Sequence, residues 1–264
     1  MGRKIHRVKI MTRQRSLFPM VFSRMVVIFC LACSGGLVWS QEQVLDPINN
    51  VDPWESTNRK IFAFNETLDR WILKPVAEGY NFVMPDIAKR GVTNFILNMY
   101  EFNSVLNGIL QGKFSGAATS GGRFIINSTV GLAGLIDVAT PMGIEPQRMD
   151  FGQTLAVWGV DTGPFVMLPL FGPRTVRSAT GYFVDTYSSI PAWIEDRYIP
   201  WTFWTIEVID FRASLLQSED LITGDRYIFL RDAYLQRREF YDSGGVVKDN
   251  FSDFQETDEE WEEF

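Results

Sequence analysis

Charged residues set the first limit on the fold of this 264-residue chain, because they interrupt every apolar stretch after residue 40. The longest stretch without a charge there, Phe124–Ile136, has thirteen residues. As a helix it reaches about 20 Å, whereas the hydrocarbon layer of a bilayer is about 30 Å thick. The body of the chain is therefore predicted to contain no conventional transmembrane helix.

Charge is distributed unevenly along the chain. Seven of the 25 Lys and Arg residues lie in residues 1–40, which contain no acid, so the remainder has 18 basic against 32 acidic residues, a net charge of −14. This makes the body a poor candidate for nucleic-acid binding, which needs Lys and Arg to neutralise phosphates. Anionic head groups would also repel it, so any membrane association must come from buried apolar area.

Histidine and cysteine are confined to the same N-terminal segment, as His6, Cys30 and Cys33. If that segment is removed or serves as an anchor, the body lacks Ser-His-Asp and Cys-His triads, thiolate zinc sites and a disulfide framework. Carboxylate, Lys or Tyr chemistry stays open. We expect no cofactor, no metal and no catalysed reaction.

Residues 1–40 have the layout of a secretory leader: a basic region, the apolar stretch Met25–Cys33, and small residues after it. The basic region is long, which leaves Met11 and Met20 open as alternative starts. All variants of this interpretation place the body outside the cytoplasm of a bacterium. We expect a linker at 41–51, a folded domain at 52–245 and an acidic, disordered tail at 246–264.

Two processing sites compete in this leader. Cleavage after Ser40 fits the small-residue rule, whereas Leu31-Ala32-Cys33 fits a bacterial lipobox with Cys33 lipidated. Cys30 stands where a lipobox usually has Leu or Val. Both alternatives stay open, together with an uncleaved anchor, for which the apolar stretch is short.

Large aromatic residues crowd into residues 193–204, and a helical pattern follows them. Such residues favour a boundary between apolar and aqueous phases, although filling a core is the alternative. At 100° per residue, the apolar side chains cover an arc about 200° wide, interrupted by Arg212, which is wider than on a surface helix of a soluble protein. The residues expected to face a membrane are Trp201, Trp204, Val208, Phe211 and Leu215. The residues expected to line a polar lumen are Glu207, Asp210, Ser214 and Gln217.

The segment Phe95–Leu110 repeats this pattern, with an apolar face opposite a largely uncharged polar face. The polar face consists of Asn98, Asn103, Ser104 and Asn107, with Glu101 as its only charge. It suits a wet but uncharged surface, or asparagines that hydrogen-bond nearby backbone groups; the pattern does not decide between them.

Glycine and proline divide the rest of the body. Pro75 and Pro85 are expected to break helices, and Gly112-x-x-x-Gly116 permits either close helix approach or tight turns and caps. Around the apolar segment Phe165–Phe171 the density of Gly and Pro predicts an irregular loop, with a hinge or gate at Gly159, Gly163 and Pro164. No phosphate-binding loop is present, and strand signals are sparse. A further helix is predicted at Asp225–Tyr241, ended by Gly244-Gly245.

Several short motifs, in their order and spacing, resemble one family. They are Asp52-Pro53-Trp54-Glu55 with Asn58-Arg59 and Phe62-Ala63-Phe64-Asn65, Lys74-Pro75-Val76, Gly91-Val92-Thr93-Asn94-Phe95, Arg123 to Thr129 with Gly131 and Asp137-Val138-Ala139, Phe151-Gly152-Gln153-Thr154-Leu155, Gly159-Val160, Gly163-Pro164, Leu168-Pro169, Gly172-Pro173, Arg177, Tyr234 and Arg237-Arg238. Over about residues 52–245 the chain resembles the MlaA/VacJ family of outer-membrane phospholipid-transport lipoproteins.

The resemblance implies an all-α, ring-like single domain, seated in the periplasmic leaflet of a Gram-negative outer membrane around an amphipathic channel. Through it, misplaced phospholipids would leave the outer leaflet and pass to a soluble periplasmic lipid carrier of the Mla type. It also implies association with a trimeric porin. Two alternatives remain: a phospholipase that uses carboxylates or Ser128, and a structural lipoprotein that holds porins without moving lipid.

Overall fold

A computed structural model of the protein describes residues 51–222 and 224–245. The predicted leader with Cys33 and the predicted tail lie outside these residues. The regular elements are α1 (Glu55–Leu68), α2 (Lys74–Val83), α3 (Asp86–Leu110), α4 (Phe114–Thr129), α5 (Phe151–Val157), β1 (Phe165–Leu168), β2 (Gly172–Thr175), α6 (Val176–Ser188), α7 (Ile190–Trp193), α8 (Ile199–Leu215) and α9 (Arg226–Asp242). A π-helical turn, Asp69–Leu73, joins α1 to α2, and 3₁₀ turns lie at Thr140–Met142 and Leu216–Leu221. The predicted mostly helical single domain is confirmed.

Local sequence explains where several helices begin. Asp150 caps α5 by accepting a hydrogen bond from the Gln153 N–H at 2.8 Å, and Asp225 caps α9 in the same way. At the start of α6, Thr175 and Ser178 form a reciprocal capping box. Each cap satisfies an N–H group that has no partner within its own helix.

The two prolines behave differently. Pro85 lies extended and separates α2 from α3, as predicted. The expectation that Pro75 breaks a helix is wrong: it lies in the first turn of α2, directly after the π-helical turn. The helical backbone continues from the π-helical turn into α2, and the Lys74 N–H donates to the Asp69 carbonyl, so the wider π-helical turn accommodates the proline.

A short antiparallel hairpin departs from the all-α prediction. β1 pairs with β2 from Phe165 opposite Thr175 to Leu168 opposite Gly172, within the segment predicted as an irregular loop. Two asparagines on one face of α1 cover the other edge of β1. Asn58 bonds the Phe165 carbonyl and the Met167 N–H, and Asn65 bonds the Leu168 carbonyl, which satisfies backbone groups that an edge strand leaves open.

Apolar packing is concentrated in two small clusters around this hairpin. Phe165, Met167, Tyr227 and Tyr234 join β1 to α9. On the other side Leu168, Ala179 and Phe183 join it to α6. The hairpin therefore links α1, α6 and α9.

The α3–α4 hairpin uses small residues for close approach. A Cβ added to Gly108 would lie 2.9 Å from the Ala117 Cβ, and one added to Gly116 would lie 3.1 Å from the Met149 Cε. Gly112 has a φ of +71° in the turn between the helices, with open space around it. Gly112 therefore serves the turn, as the second interpretation of this spacing predicts, whereas Gly116 packs against the loop that holds Met149 and the close approach of the helices occurs at Gly108.

Candidate functional site

The distribution of polar and apolar side chains is inverted relative to an ordinary soluble domain. Among the residues that the structure describes, 18 buried side chains are polar or charged and 13 are hydrophobic. In the same part of the chain, 35 large hydrophobic side chains are exposed. Soluble monomers rarely expose apolar surface on this scale, so the exterior is suited to an apolar environment and the interior to polar groups.

The amide face predicted on α3 lies in this interior. Asn98, Asn103, Ser104 and Asn107 are all buried, and Gln111 extends the row by one turn. The asparagine side chains donate to groups of other helices: Asn98 to Ser128 Oγ at 2.9 Å, and Asn103 to the Asp185 carbonyl at 2.7 Å. The alternative of a bond to nearby backbone applies to Asn107, whose Nδ2 also donates to the Asn103 carbonyl at 3.0 Å. The side-chain oxygens of Asn98, Asn103 and Gln111 are buried without a partner among the described residues.

Asp185 on α6 is the centre of this network. Its carboxylate accepts from Asn107 Nδ2 at 2.7 Å and from the Phe151 N–H at 2.8 Å. Thr154 on α5 donates to the Asn107 side-chain oxygen at 2.8 Å, so one carboxylate connects α3, α5 and α6. Burial raises the pKa of Asp185 to about 6, although these hydrogen bonds act in the opposite direction.

This pKa predicts a pH dependence of stability. Because the folded-state pKa of Asp185 lies above the ordinary value of 3.8, its contribution is fully present below about pH 4 and is lost as pH rises through 6. Between about pH 4 and about pH 6.5, the wild type is expected to lose about 2 kcal/mol of unfolding free energy relative to Asp185→Asn. Chemical unfolding of both proteins in detergent at each pH measures this; acids common to both cancel, and a constant difference would contradict the prediction.

Buried arginines form the second part of the interior. Arg123 on α4 donates to Glu101 on α3 at 2.6 Å and to Thr140 Oγ1 at 3.0 Å, and pairs with Asp137 at 3.3 Å. Arg238 on α9 makes a two-pronged ion pair with Asp150, at 2.7 and 3.0 Å. These pairs join helices with charge-assisted hydrogen bonds where an apolar core would otherwise do so.

The polar face of α8 is only partly interior. Glu207 accepts from the Tyr100 phenol on α3, and Asp210 accepts from the Tyr80 phenol at 2.9 Å and from Thr93 at 2.8 Å. The other two predicted lumen residues, Ser214 and Gln217, are exposed, and Ser214 donates to a backbone carbonyl of its own helix. A lumen-lining role for these four residues stays a prediction.

The opposite face of α8 carries the side chains predicted to face a membrane. Trp201, Phe211 and Leu215 are exposed, Phe211 to 58%, while Trp204 and Val208 are half-buried. Trp204 packs against Phe171, with ring centroids 5.7 Å apart. The helix thus turns Glu207 and Asp210 toward α2 and α3 and turns Trp201, Phe211 and Leu215 outward; membrane contact itself stays a prediction.

Sequence reasoning missed a second apolar surface, at α2 and its two ends. Trp71 is 76% exposed, Phe82 92% and Ile87 82%. It also missed Asp185, Tyr80 and Tyr100 as interior groups. An apolar helix face that points away from the rest of the protein has the same residue spacing as one that packs on a core, so no local signal identifies this surface.

The predicted hinge has the backbone of a turn but is tied to α6. Gly159 and Gly163 have φ values of +85° and +67°, which suit glycine. Arg177 donates to the Val160 carbonyl at 2.8 Å, and the Val176 N–H donates to the Pro164 carbonyl at 3.1 Å. Motion at Gly159, Gly163 and Pro164 stays a prediction, and it would have to break these bonds.

Within residues 51–222 and 224–245, no helix combines the length and apolar character needed to cross a membrane. In the same residues, no cluster of three or more His, Cys, Asp or Glu side chains is arranged to hold a metal ion.

Known proteins are similar to this chain in sequence and in fold. The sequence model of the MlaA lipoprotein family matches residues 50–241. The Escherichia coli K12 protein called intermembrane phospholipid transport system lipoprotein MlaA is 36% identical over 207 residues, which cover 75% of this chain and 80% of that protein. The Haemophilus influenzae protein of the same name is 33% identical over 206 residues, covering 74% and 81%. A solved structure described as the structural basis for maintenance of bacterial outer membrane lipid asymmetry matches with a TM-score of 0.65 and 36% identity, covering 72% of this chain and 98% of that chain.

Proposed function

This chain belongs to the MlaA lipoprotein family, and on that premise we propose that it is the outer-membrane component of an intermembrane phospholipid transport system. It removes mislocalised phospholipids from the outer leaflet and so maintains lipid asymmetry. The observation that carries this proposal is the inverted fold, with polar side chains inside and large apolar side chains outside.

The physical task is to move a charged head group past hydrocarbon. Burying an unpaired charge in an apolar medium costs several kcal/mol or more. An interior lined with amides, carboxylates and arginines lowers that cost for the head group, while the acyl chains stay in apolar surroundings. No covalent bond has to form or break, so the component needs no catalytic residue, cofactor or metal.

Its location follows from the same features. Exposed apolar side chains such as Trp71, Phe82 and Phe211 seat the protein in the periplasmic leaflet of a Gram-negative outer membrane, after export by the N-terminal signal. Lipidation of Cys33 adds an anchor, which accords with relatives called lipoproteins. A lipid that leaves the membrane needs a carrier in water, so we include a periplasmic lipid-carrier protein of the Mla type as a partner. A trimeric porin is the second partner, on the basis of the family resemblance alone.

Deleting the gene tests the function. The deletion strain is expected to accumulate phospholipid in the outer leaflet, measured as phosphatidylethanolamine that reacts with a membrane-impermeant amine reagent in whole cells. Re-expressing the wild type should return labelling to the parental level. Cys33→Ser is the matched variant that removes the anchor but no interior group. Normal leaflet composition in the deletion strain would favour the scaffold, and fatty acid released by purified protein would favour a phospholipase.

A further inference from the structure

Arg174 on β2 is an unusual cation in this interior. Its guanidinium carbon lies 4.5 Å from the centroid of the Tyr182 ring on α6. Among the described residues it has no ion-pair partner, and its Nε is buried without a hydrogen-bond acceptor. In contrast, Arg123, Arg177 and Arg238 are each paired with a carboxylate. Arg174 therefore keeps donor capacity that the fold does not use.

Glu207 on α8 lies one helical turn after Trp204, whose ring is connected through Phe171 to Tyr182, the ring that Arg174 covers. Tyr100 donates to Glu207 Oε1, while Oε2 receives no hydrogen bond from a described residue. Burial raises the pKa of Glu207, and the positive charge of Arg174 acts on it in the opposite direction. The structure shows no ion pair between the two groups, and both residues are half-buried.

The surroundings suit the rest of a lipid molecule. The Phe171 ring lies 5.6 Å from Tyr182 and 5.7 Å from Trp204, centroid to centroid. These rings form an apolar surface that runs from Arg174 to the helix that carries Glu207. A guanidinium that can bind an anion and a carboxylate that can bind a cation lie along an apolar surface. This arrangement matches a molecule that carries both charges at one end and hydrocarbon at the other.

We propose that Arg174 and Glu207 form a head-group site for zwitterionic phospholipids that carry a primary ammonium group. The Arg174 guanidinium donates to the phosphate oxygens, and Glu207 accepts from the ammonium group. An anionic phospholipid with a glycerol head group offers its phosphate to Arg174 but has no ammonium group for Glu207. The negative charges of its phosphate and of Glu207 then repel each other without compensation, so it binds less well. This inference rests on the proposed function and adds a preference among its substrates.

Native mass spectrometry of the full chain tests the site. Protein purified from outer membranes is exchanged into mixed micelles that contain equal amounts of phosphatidylethanolamine and phosphatidylglycerol, and the retained lipids are counted. The wild type is expected to retain mainly phosphatidylethanolamine. Glu207→Gln, which keeps an acceptor for Tyr100, should lower the ratio of the two lipids about tenfold, and Arg174→Gln should lower retention of both lipids about tenfold.

Arg197→Gln is the matched control, since Arg197 is an exposed arginine that also lies over a tyrosine ring, at 5.3 Å. It should leave amounts and ratio unchanged, and circular dichroism checks that each variant is folded. If the wild type retains lipid but the Glu207 and Arg174 variants keep its amounts and ratio, the head-group site is wrong and the transport function stands. If the folded wild type retains neither lipid, the transport function fails and the site fails with it.

Discussion

Replacing Arg123 by leucine is expected to lower the free energy of unfolding by about 3–5 kcal/mol. Glu101, its partner at 2.6 Å, is only 7% exposed and would stay buried without its cation. Thr140 and Asp137 lose their contacts with the guanidinium as well. Leucine fills part of the space but supplies no hydrogen-bond donor. The cost of leaving the buried acceptors unpaired therefore determines the loss in free energy of unfolding. Urea unfolding of the detergent-solubilised protein, followed by circular dichroism, measures it.

Two further variants make this prediction sharp. Asp86→Asn removes an exposed ion pair with Lys89 and should leave stability close to that of the wild type, since Asp86 is 82% exposed on its side chain. Combining Arg123→Leu with Glu101→Leu should recover part of the loss, because the second substitution removes the unpaired carboxyl group. The network would have no structural importance if Arg123→Leu were as mild as Asp86→Asn.

The polar interior was predictable as a pattern but not as a set of bonds. The spacing of Asn103 and Asn107 places them on one helix face, which depends on the period of the helix alone. Their partner Asp185 lies 78 residues from Asn107 along the chain. A local pattern carries no information on which distant group will bond an amide. The sequence therefore left open whether this face meets water or hydrogen-bonds to other parts of the protein.

The hairpin was not predictable for a related reason. Its strands have four residues each and lie among Gly163, Pro164, Pro169, Gly172 and Pro173, which indicate a loop. What stabilises β1 is tertiary: two asparagines of α1, more than 100 residues away, bond its free edge. By contrast, the position of α9 and its end at Gly244-Gly245 were predicted correctly, because caps and glycines with positive φ are local signals.

Substituting Gly181 by alanine is expected to destabilise the protein by about 3 kcal/mol, against the gain that alanine normally brings to a helix. A Cβ at Gly181 on α6 would lie 2.3 Å from the backbone nitrogen of Gly152 and 2.7 Å from its Cα on α5. These are backbone atoms, so no side chain can rotate away, and α5 and α6 must separate. Separation stretches the bond from the Phe151 N–H to Asp185. Thermal and chemical unfolding in detergent both report the change.

Gly122→Ala is the matched control, because Gly122 also lies inside a helix, α4, and a Cβ there meets nothing within 4 Å. It should stabilise the protein by about 0.5–1 kcal/mol through helix propensity alone. The opposite signs of the two substitutions separate close packing from intrinsic propensity. Equal effects would mean that α5 and α6 are not in backbone contact, and the arrangement that places Asp185 at the centre of the polar interior would then be wrong.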